Sequence, residues 1–168
     1  MKRVVICLTI ILIFTLTLFS SIRLAKANYF KALRYYKKGN YSQSIVHLNS
    51  VLKNRVINRY VTLKVKTFLM LGKNYNLLGD YRNAEYYLFQ VFKNTPINKY
   101  YKEALLEIGQ TYILSKRYKR AIQVYEYVAR KFLDKEFLSE SYYLKGEVLM
   151  LMRKFRSAAK MYIKVLNN

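Results

Sequence analysis

Hydrophobic residues follow a helical spacing on both sides of a short step, Gly79 and Asp80, near the middle of the chain. Before the step, apolar and small residues recur at i, i+3, i+4 and i+7 on one helix face: Phe68, Leu71, Gly72 and Tyr75. After the step, a second face carries Ala84, Leu88 and Val91. Glycine is favoured just beyond a helix end and aspartate just before a helix start, so the step indicates a turn. The pattern predicts two helices joined as a hairpin.

The same order of residues occurs four times, and each copy predicts one hairpin. An aromatic residue opens each second helix, and these anchors are spaced 40, 37 and 37 residues apart: Tyr41, Tyr81, Tyr118 and Phe155. Small residues occupy both helices where they cross: Ala32 with Ser44, Gly72 with Ala84, Gly109 with Ala121, and Gly146 with Ala158. One hairpin cannot bury its apolar face alone, so the copies are predicted to stack as an all-α solenoid. The hairpins are expected at about 28–60, 61–97, 98–134 and 135–168.

This order of small, aromatic and small residues resembles the tetratricopeptide repeat (TPR) family, and the copy that ends at Pro96 matches it best. The resemblance covers residues 25 to 168 and implies a right-handed superhelical solenoid. The copies depart from the family pattern at Ser44, and at Lys116 and Arg153 in place of a turn glycine; three copies lack the closing proline. The period exceeds the usual 34 residues by about three. Such longer repeats resemble bacterial cell-envelope TPR proteins, namely the Tol–Pal-associated coordinators and the β-barrel-assembly lipoproteins.

The resemblance also implies a concave groove, formed by the first helix of each hairpin, that holds a peptide or a partner helix. Carried over by position, the groove residues are Lys26, Tyr29, Leu33, Tyr36, Lys66, Leu69, Lys73, Asn76, Glu103, Leu106, Gln110, Ile113, Glu140, Tyr143, Glu147 and Met150. This groove is basic at its N-terminal end and acidic at its C-terminal end. A partner segment with an acidic stretch followed by a basic one would match it. The alternative is that these positions form an ordinary solvated surface.

A second candidate surface is the last predicted helix. Tyr162 and Val165 lie where another helix would pack in a solenoid, and solenoids normally need a polar terminal cap. An exposed apolar edge at these residues would dock another copy of the chain or a different partner. The alternative is that the last helix is amphipathic enough to end the solenoid by itself.

The N-terminal segment is a long apolar run. Val4 to Ile22 spans 19 residues without a charge, close to the roughly 20 that a helix needs to cross a bilayer. The run is longer than the roughly 7–15 apolar residues of a cleaved signal peptide, although Ala25 to Ala27 has the form of a cleavage site. Residues 1–27 are therefore predicted to be an uncleaved signal anchor, with a cleaved signal peptide as the alternative. Lys2 and Arg3 favour a cytoplasmic N-terminus and a TPR domain, residues 28–168, in the periplasm, whereas Arg23, Lys26, Lys31 and Arg34 on the other flank favour the opposite orientation.

The chain is strongly basic, with 31 Lys and Arg against 9 Asp and Glu, and no acidic residue precedes Asp80. Such a surface attracts anionic lipid, nucleic acid or acidic proteins. Behind an anchor, the acid-free stretch from Lys31 to Lys73 would lie against anionic lipid. Nucleic acid would use the same charges, but no nucleic-acid-binding motif accompanies them, so this partner is not favoured.

Catalysis is the least expected class of function. His47 is the chain's one histidine and has no acidic residue within its own repeat, and Cys7 is its one cysteine. No phosphate-cradling loop or metal-ligand spacing is present. We therefore expect a non-catalytic scaffold in a bacterial cell-envelope complex, without metal, cofactor or small-molecule substrate. The alternative is a cytoplasm-facing anchored protein whose basic surface binds anionic lipid or nucleic acid.

Overall fold

A computed structural model describes the backbone of residues 2–95 and 99–167, and side chains within these ranges except at residues 2–11, 13 and 14. The helices are α1 (Lys2–Lys37), α2 (Tyr41–Lys53), α3 (Val61–Leu77), α4 (Tyr81–Asn94), α5 (Lys99–Leu114), α6 (Tyr118–Lys131), α7 (Lys135–Leu151) and α8 (Phe155–Leu166). No β-strand occurs in these residues, so the predicted all-α class is confirmed. The closing proline, Pro96, lies outside the described residues.

Each helix packs against the next one along the chain, and the first helices of consecutive hairpins also touch in series: α1 with α3, α3 with α5, and α5 with α7. The hairpins therefore stack in sequence order. In the last three hairpins, a glycine of the first helix lies so close to a larger residue of the second helix that a Cβ on the glycine would collide with it. The pairs are Gly72 with Leu88, Gly109 with Tyr125, and Gly146 with Tyr162.

All four turns within the hairpins use one backbone geometry. The second residue after each first helix lies in the left-handed region, with φ between +58° and +77°: Gly39, Gly79, Lys116 and Arg153. Asn40 and Asp80, which follow the two glycines, accept a hydrogen bond from the backbone N–H three residues later. Arg117 and Lys154 occupy the same position in the last two hairpins without such a bond. Lys116 and Arg153 therefore replace the turn glycine but keep its left-handed backbone conformation.

The connections between hairpins differ in length. Residues 54–60 join α2 to α3 and include a 3₁₀ turn at Ile57–Arg59, whereas residues 95–98 and 132–134 make the later connections. The additional residues of the first connection account for the 40-residue spacing of the first two aromatic anchors. Ile57 is buried against Val51, so the longer connection adds to the core.

Helix α1 runs unbroken from Lys2 to Lys37, and the predicted boundary between residues 27 and 28 lies inside it. Ile22 and Ala25 of this helix are buried against the first hairpin, and the backbone carbonyl of Ser21 accepts a hydrogen bond from the Asn54 amide. Ile22, at the end of the uncharged run, therefore packs in the protein core. Over the described residues, no helix combines the length and apolar character needed to cross a membrane. Most side chains of Val4 to Leu18 lie outside that description.

Candidate partner-binding groove

The first helices place a cleft at the N-terminal end of the predicted groove. This N-terminal cleft has a volume of about 880 Å³ and is lined by Lys26, Tyr29, Phe30, Leu33, Arg59, Tyr60, Val61, Thr62, Leu63 and Lys66. Four predicted residues, Lys26, Tyr29, Leu33 and Lys66, therefore come together here. Its wall also includes exposed apolar side chains, since Phe30 is 60% and Val61 48% exposed.

Sequence reasoning missed the second wall of the cleft. Arg59 and Tyr60 belong to the long connection after α2, and Val61 begins α3. Connections have no hydrophobic period, so no pattern indicated that these side chains would face the groove. The available signal was the 40-residue spacing between Tyr41 and Tyr81, which reports extra residues at this junction.

Lys73 forms an ion-pair cluster in the middle of the groove. Its Nζ lies 2.7 Å from Glu103 Oε1 and 3.4 Å from Glu107 Oε1. Burial lowers the pKa of Lys73, but the two carboxylates outweigh burial and hold the pKa above its usual value. Burial raises the pKa of Glu107, and the charge of Lys73 opposes that rise. Lys73 was predicted to face a partner, but its charge is balanced by Glu103 and Glu107 of the same chain.

Acidic side chains outnumber basic ones in the groove beyond Lys73. A pocket of about 430 Å³ between α5 and α7 is lined by five acidic residues and three lysines: Glu103, Glu107, Asp134, Glu136, Glu140, Lys73, Lys99 and Lys102. Burial raises the pKa of Glu140, and repulsion from Glu136 and Glu103 adds to the rise. Further along α7, the Tyr143 hydroxyl donates a hydrogen bond of 3.0 Å to Glu147. The predicted residues Glu103 and Glu140 therefore lie in one pocket, and Lys73 lines the same pocket through its ion pair with Glu103.

Two predicted groove residues lie in the core instead. Leu69 is buried beside Val65 and Phe68, because its position on α3 faces the helices packed behind the groove. Asn76 is also buried, and neither polar atom of its side-chain amide has a hydrogen-bond partner among the described residues. These side chains do not offer a binding surface. The other predicted positions are half-buried or exposed: Tyr36, Gln110, Ile113 and Met150.

The C-terminal edge keeps part of its apolar surface in contact with solvent. Val51, Val91 and Val128 are fully buried beneath the following first helix, whereas the equivalent Val165 on α8 is half-buried. Tyr162 is also half-buried, with its ring 6.0 Å from that of Tyr143. Val165 therefore occupies the position at which earlier hairpins accept the next helix, whereas the ring of Tyr162 contacts α7 of its own hairpin.

No metal chemistry is indicated in the part of the chain that the structure describes, where no three His, Cys, Asp or Glu side chains lie close enough to hold an ion. His47 lies away from the acidic residues. Its ring stacks on Tyr35 at a centroid distance of 5.3 Å, and its Nδ1 lies 3.2 Å from Asn28 Oδ1. The arrangement in the groove can bind and orient a chain by charge and apolar contact.

Comparison with known families identifies the unit in the third hairpin. The tetratricopeptide repeat profile matches residues 102–128, from α5 into α6. Residues 102–128 form a TPR. No curated protein matches the chain. This TPR carries Glu103, Leu106, Gln110 and Ile113 of the predicted groove, and the second hairpin repeats its crossing contact and its left-handed turn.

Proposed function

We propose that this chain is a non-catalytic scaffold whose groove holds a segment of a protein partner. TPR units mediate protein–protein interaction, and one such unit supplies the middle of the groove. The observation that carries the proposal is the N-terminal cleft, an apolar space of about 880 Å³ rimmed by Lys26, Arg59 and Lys66. A concave apolar surface with a few charged groups is the usual form of a recognition site.

The charge arrangement favours a partner segment of matching polarity. The charged residues that line the cleft are all cations, whereas the other end of the groove has five acidic side chains, Glu136 and Glu140 among them, beside three lysines. An acidic and apolar stretch would occupy the cleft, and a basic stretch would follow toward α7. Because Lys73 is already paired with Glu103 and Glu107, the two ends act as separate sites joined by one segment.

The same proposal places the scaffold in a bacterial cell envelope, held at the inner membrane with its hairpins in the periplasm. The uncharged run from Val4 to Ile22 supports the membrane attachment, and Lys2 and Arg3 favour a cytoplasmic N-terminus. The part of α1 from Ile22 onward belongs to the hairpin stack, so any membrane segment ends before it.

A site-specific cross-linking experiment tests the groove. A photoreactive amino acid at Phe30, inside the cleft, is compared in cells with one at Tyr86, an exposed residue of α4 outside it. The captured protein is identified by mass, and its purified form is titrated against the full chain. We expect Lys66→Glu to weaken binding by about tenfold or more, and Lys93→Glu, on α4, to change it little. Equal capture at both positions, or equal effects of both charge reversals, would remove the groove from the proposal.

A further inference from the structure

A second cationic surface lies on the side of α1 opposite the groove. Lys31, Arg34 and Lys38 recur at i, i+3 and i+7, which places them on one helix face. At about 100° per residue, the groove residues Tyr29 and Leu33 lie on the other side of the helix. The two surfaces can therefore bind different ligands at the same time.

These three side chains surround a pocket together with a residue of the second helix. The pocket has a volume of about 360 Å³ and is lined by Lys31, Arg34, Tyr35, Lys38 and His47. Stacking on Tyr35 and contact with the Asn28 amide hold the His47 ring in place. The rim of the pocket is therefore fixed by α2 as well as by α1.

The positive charge of the pocket has no counter-charge in the fold. No acidic residue precedes Asp80, and every ion pair among the described residues joins side chains from Lys73 onward. Lys31, Arg34 and Lys38 therefore face one another across the pocket without a carboxylate. An anion bound between them would relieve this mutual repulsion.

We propose that this pocket binds a phosphate group. A phosphate monoester carries up to two negative charges and several acceptor oxygens, which matches a guanidinium fork and two ammonium groups. A single carboxylate would leave most of these donors unused. The Tyr35 ring already stacks on His47, so it does not provide the free aromatic platform on which single-stranded nucleic acid bases stack. The phosphate comes either from an anionic lipid headgroup or from a soluble phosphate.

The signals of His47, the chain's one histidine, report on the pocket directly. The full chain in nonionic detergent is titrated with inorganic phosphate at constant ionic strength while these signals are followed by NMR. The pocket variants are Arg34→Gln and Lys38→Gln. The matched controls are Lys37→Gln and Arg55→Gln, which remove the same charge from exposed positions outside the pocket.

We expect a saturable shift of the His47 signals, with affinity reduced about tenfold or more in each pocket variant and less than about twofold in the controls. The absence of a saturable shift overturns the proposal. An equal loss in pocket and control variants also overturns it, because that result reports overall charge rather than a site.

Vesicles distinguish the two sources. Flotation with phosphatidylcholine vesicles, with and without phosphatidic acid, whose headgroup is a phosphate monoester, is measured for the wild type, Arg34→Gln and Lys37→Gln. If only Arg34→Gln loses binding to the anionic vesicles, the phosphate comes from a lipid headgroup. If both variants bind these vesicles equally and the phosphate titration still shows a site, the ligand is a soluble phosphate. A single-stranded oligonucleotide that displaces phosphate at far lower concentration would replace the proposal with nucleic-acid binding.

Discussion

Gly109 of α5 lies directly against the ring of Tyr125 in α6. A Cβ on Gly109 would stand 2.5 Å from both Cζ and the hydroxyl oxygen of Tyr125, which is fully buried. The same relationship joins Gly146 of α7 to Tyr162 of α8, but the Tyr162 ring is partly exposed. The first helix therefore needs a residue without a side chain wherever the second helix places a large one at the crossing.

Replacing Gly109 by alanine is expected to lower the free energy of unfolding by about 1–3 kcal/mol, because the enclosed Tyr125 ring cannot move aside. The matched change Gly146→Ala is expected to cost less than about 1 kcal/mol, since Tyr162 can shift toward solvent and alanine favours the helix. Urea denaturation of both variants checks the difference. Equal losses would show that enclosure of the ring does not set the cost.

The left-handed turns give a second prediction, with the opposite sign. Lys116 adopts φ +59° where Gly79 adopts φ +77°, and a side chain is disfavoured in this region. Lys116→Gly is therefore expected to raise the free energy of unfolding by up to about 1 kcal/mol, the gain being limited by the flexibility of glycine in the unfolded chain. Gly79→Ala is expected to lower it by about 1 kcal/mol. Thermal denaturation measures both, and a loss in Lys116→Gly would contradict the argument.

Helix starts provide a third prediction. Asp80 accepts a hydrogen bond from the Asn83 backbone N–H at the start of α4, whereas Lys154 occupies the same position before α8 without a capping bond. Asp80→Ala is expected to cost about 1 kcal/mol, and Lys154→Asp to gain about as much. Denaturation midpoints of the two variants test the pair. A destabilised Lys154→Asp would mean that the lysine makes a contribution beyond its missing cap.

The sequence predicts the hairpins well because helical spacing reports which face is buried. Ala84, Leu88 and Val91 were placed on one face from spacing alone, and all three are fully buried. The groove was less predictable. The position of a residue within a repeat does not define how far its helix is rotated about its own axis. A rotation of about 100°, the angle between successive residues, is enough to move a side chain from the groove into the core, where Leu69 lies. The N-terminal cleft depends on a connection without periodicity.

Composition does not show which part of the N-terminal helix packs in the solenoid. A membrane segment and a packed solenoid helix are both apolar, so the uncharged run gave no sign that Ile22 belongs to the core. Ile22→Ala is expected to lower the free energy of unfolding by about 2–4 kcal/mol. The control Leu24→Ala, on the same helix but largely exposed, is expected to change it by less than about 0.5 kcal/mol. Similar small effects of both would contradict the packing of Ile22.

The buried carboxyl of Glu107 predicts a dependence of stability on pH. Burial raises its pKa above the ordinary value of 4.5, so between these two values the folded chain binds more protons than the unfolded chain. Its contribution to stability is therefore full below pH 4.5 and is lost as the pH rises through the folded pKa. Glu107→Gln removes this dependence, and the variant should gain stability relative to the wild type as the pH rises from 4 to 7.

Asp134 supplies a control of opposite sign. The Phe137 backbone N–H and the Lys102 ammonium hold the pKa of its carboxyl below the ordinary value of 3.8, so this group contributes stability above that pH and loses it on acidification. Asp134→Asn should therefore lose stability relative to the wild type as the pH rises through this range. Urea denaturation from pH 3 to 7 measures both differences. Only a group whose pKa is raised by folding makes its neutral variant gain stability relative to the wild type as the pH rises. If the stability of both variants changed in the same direction, the titration of Glu107 would therefore not be the cause.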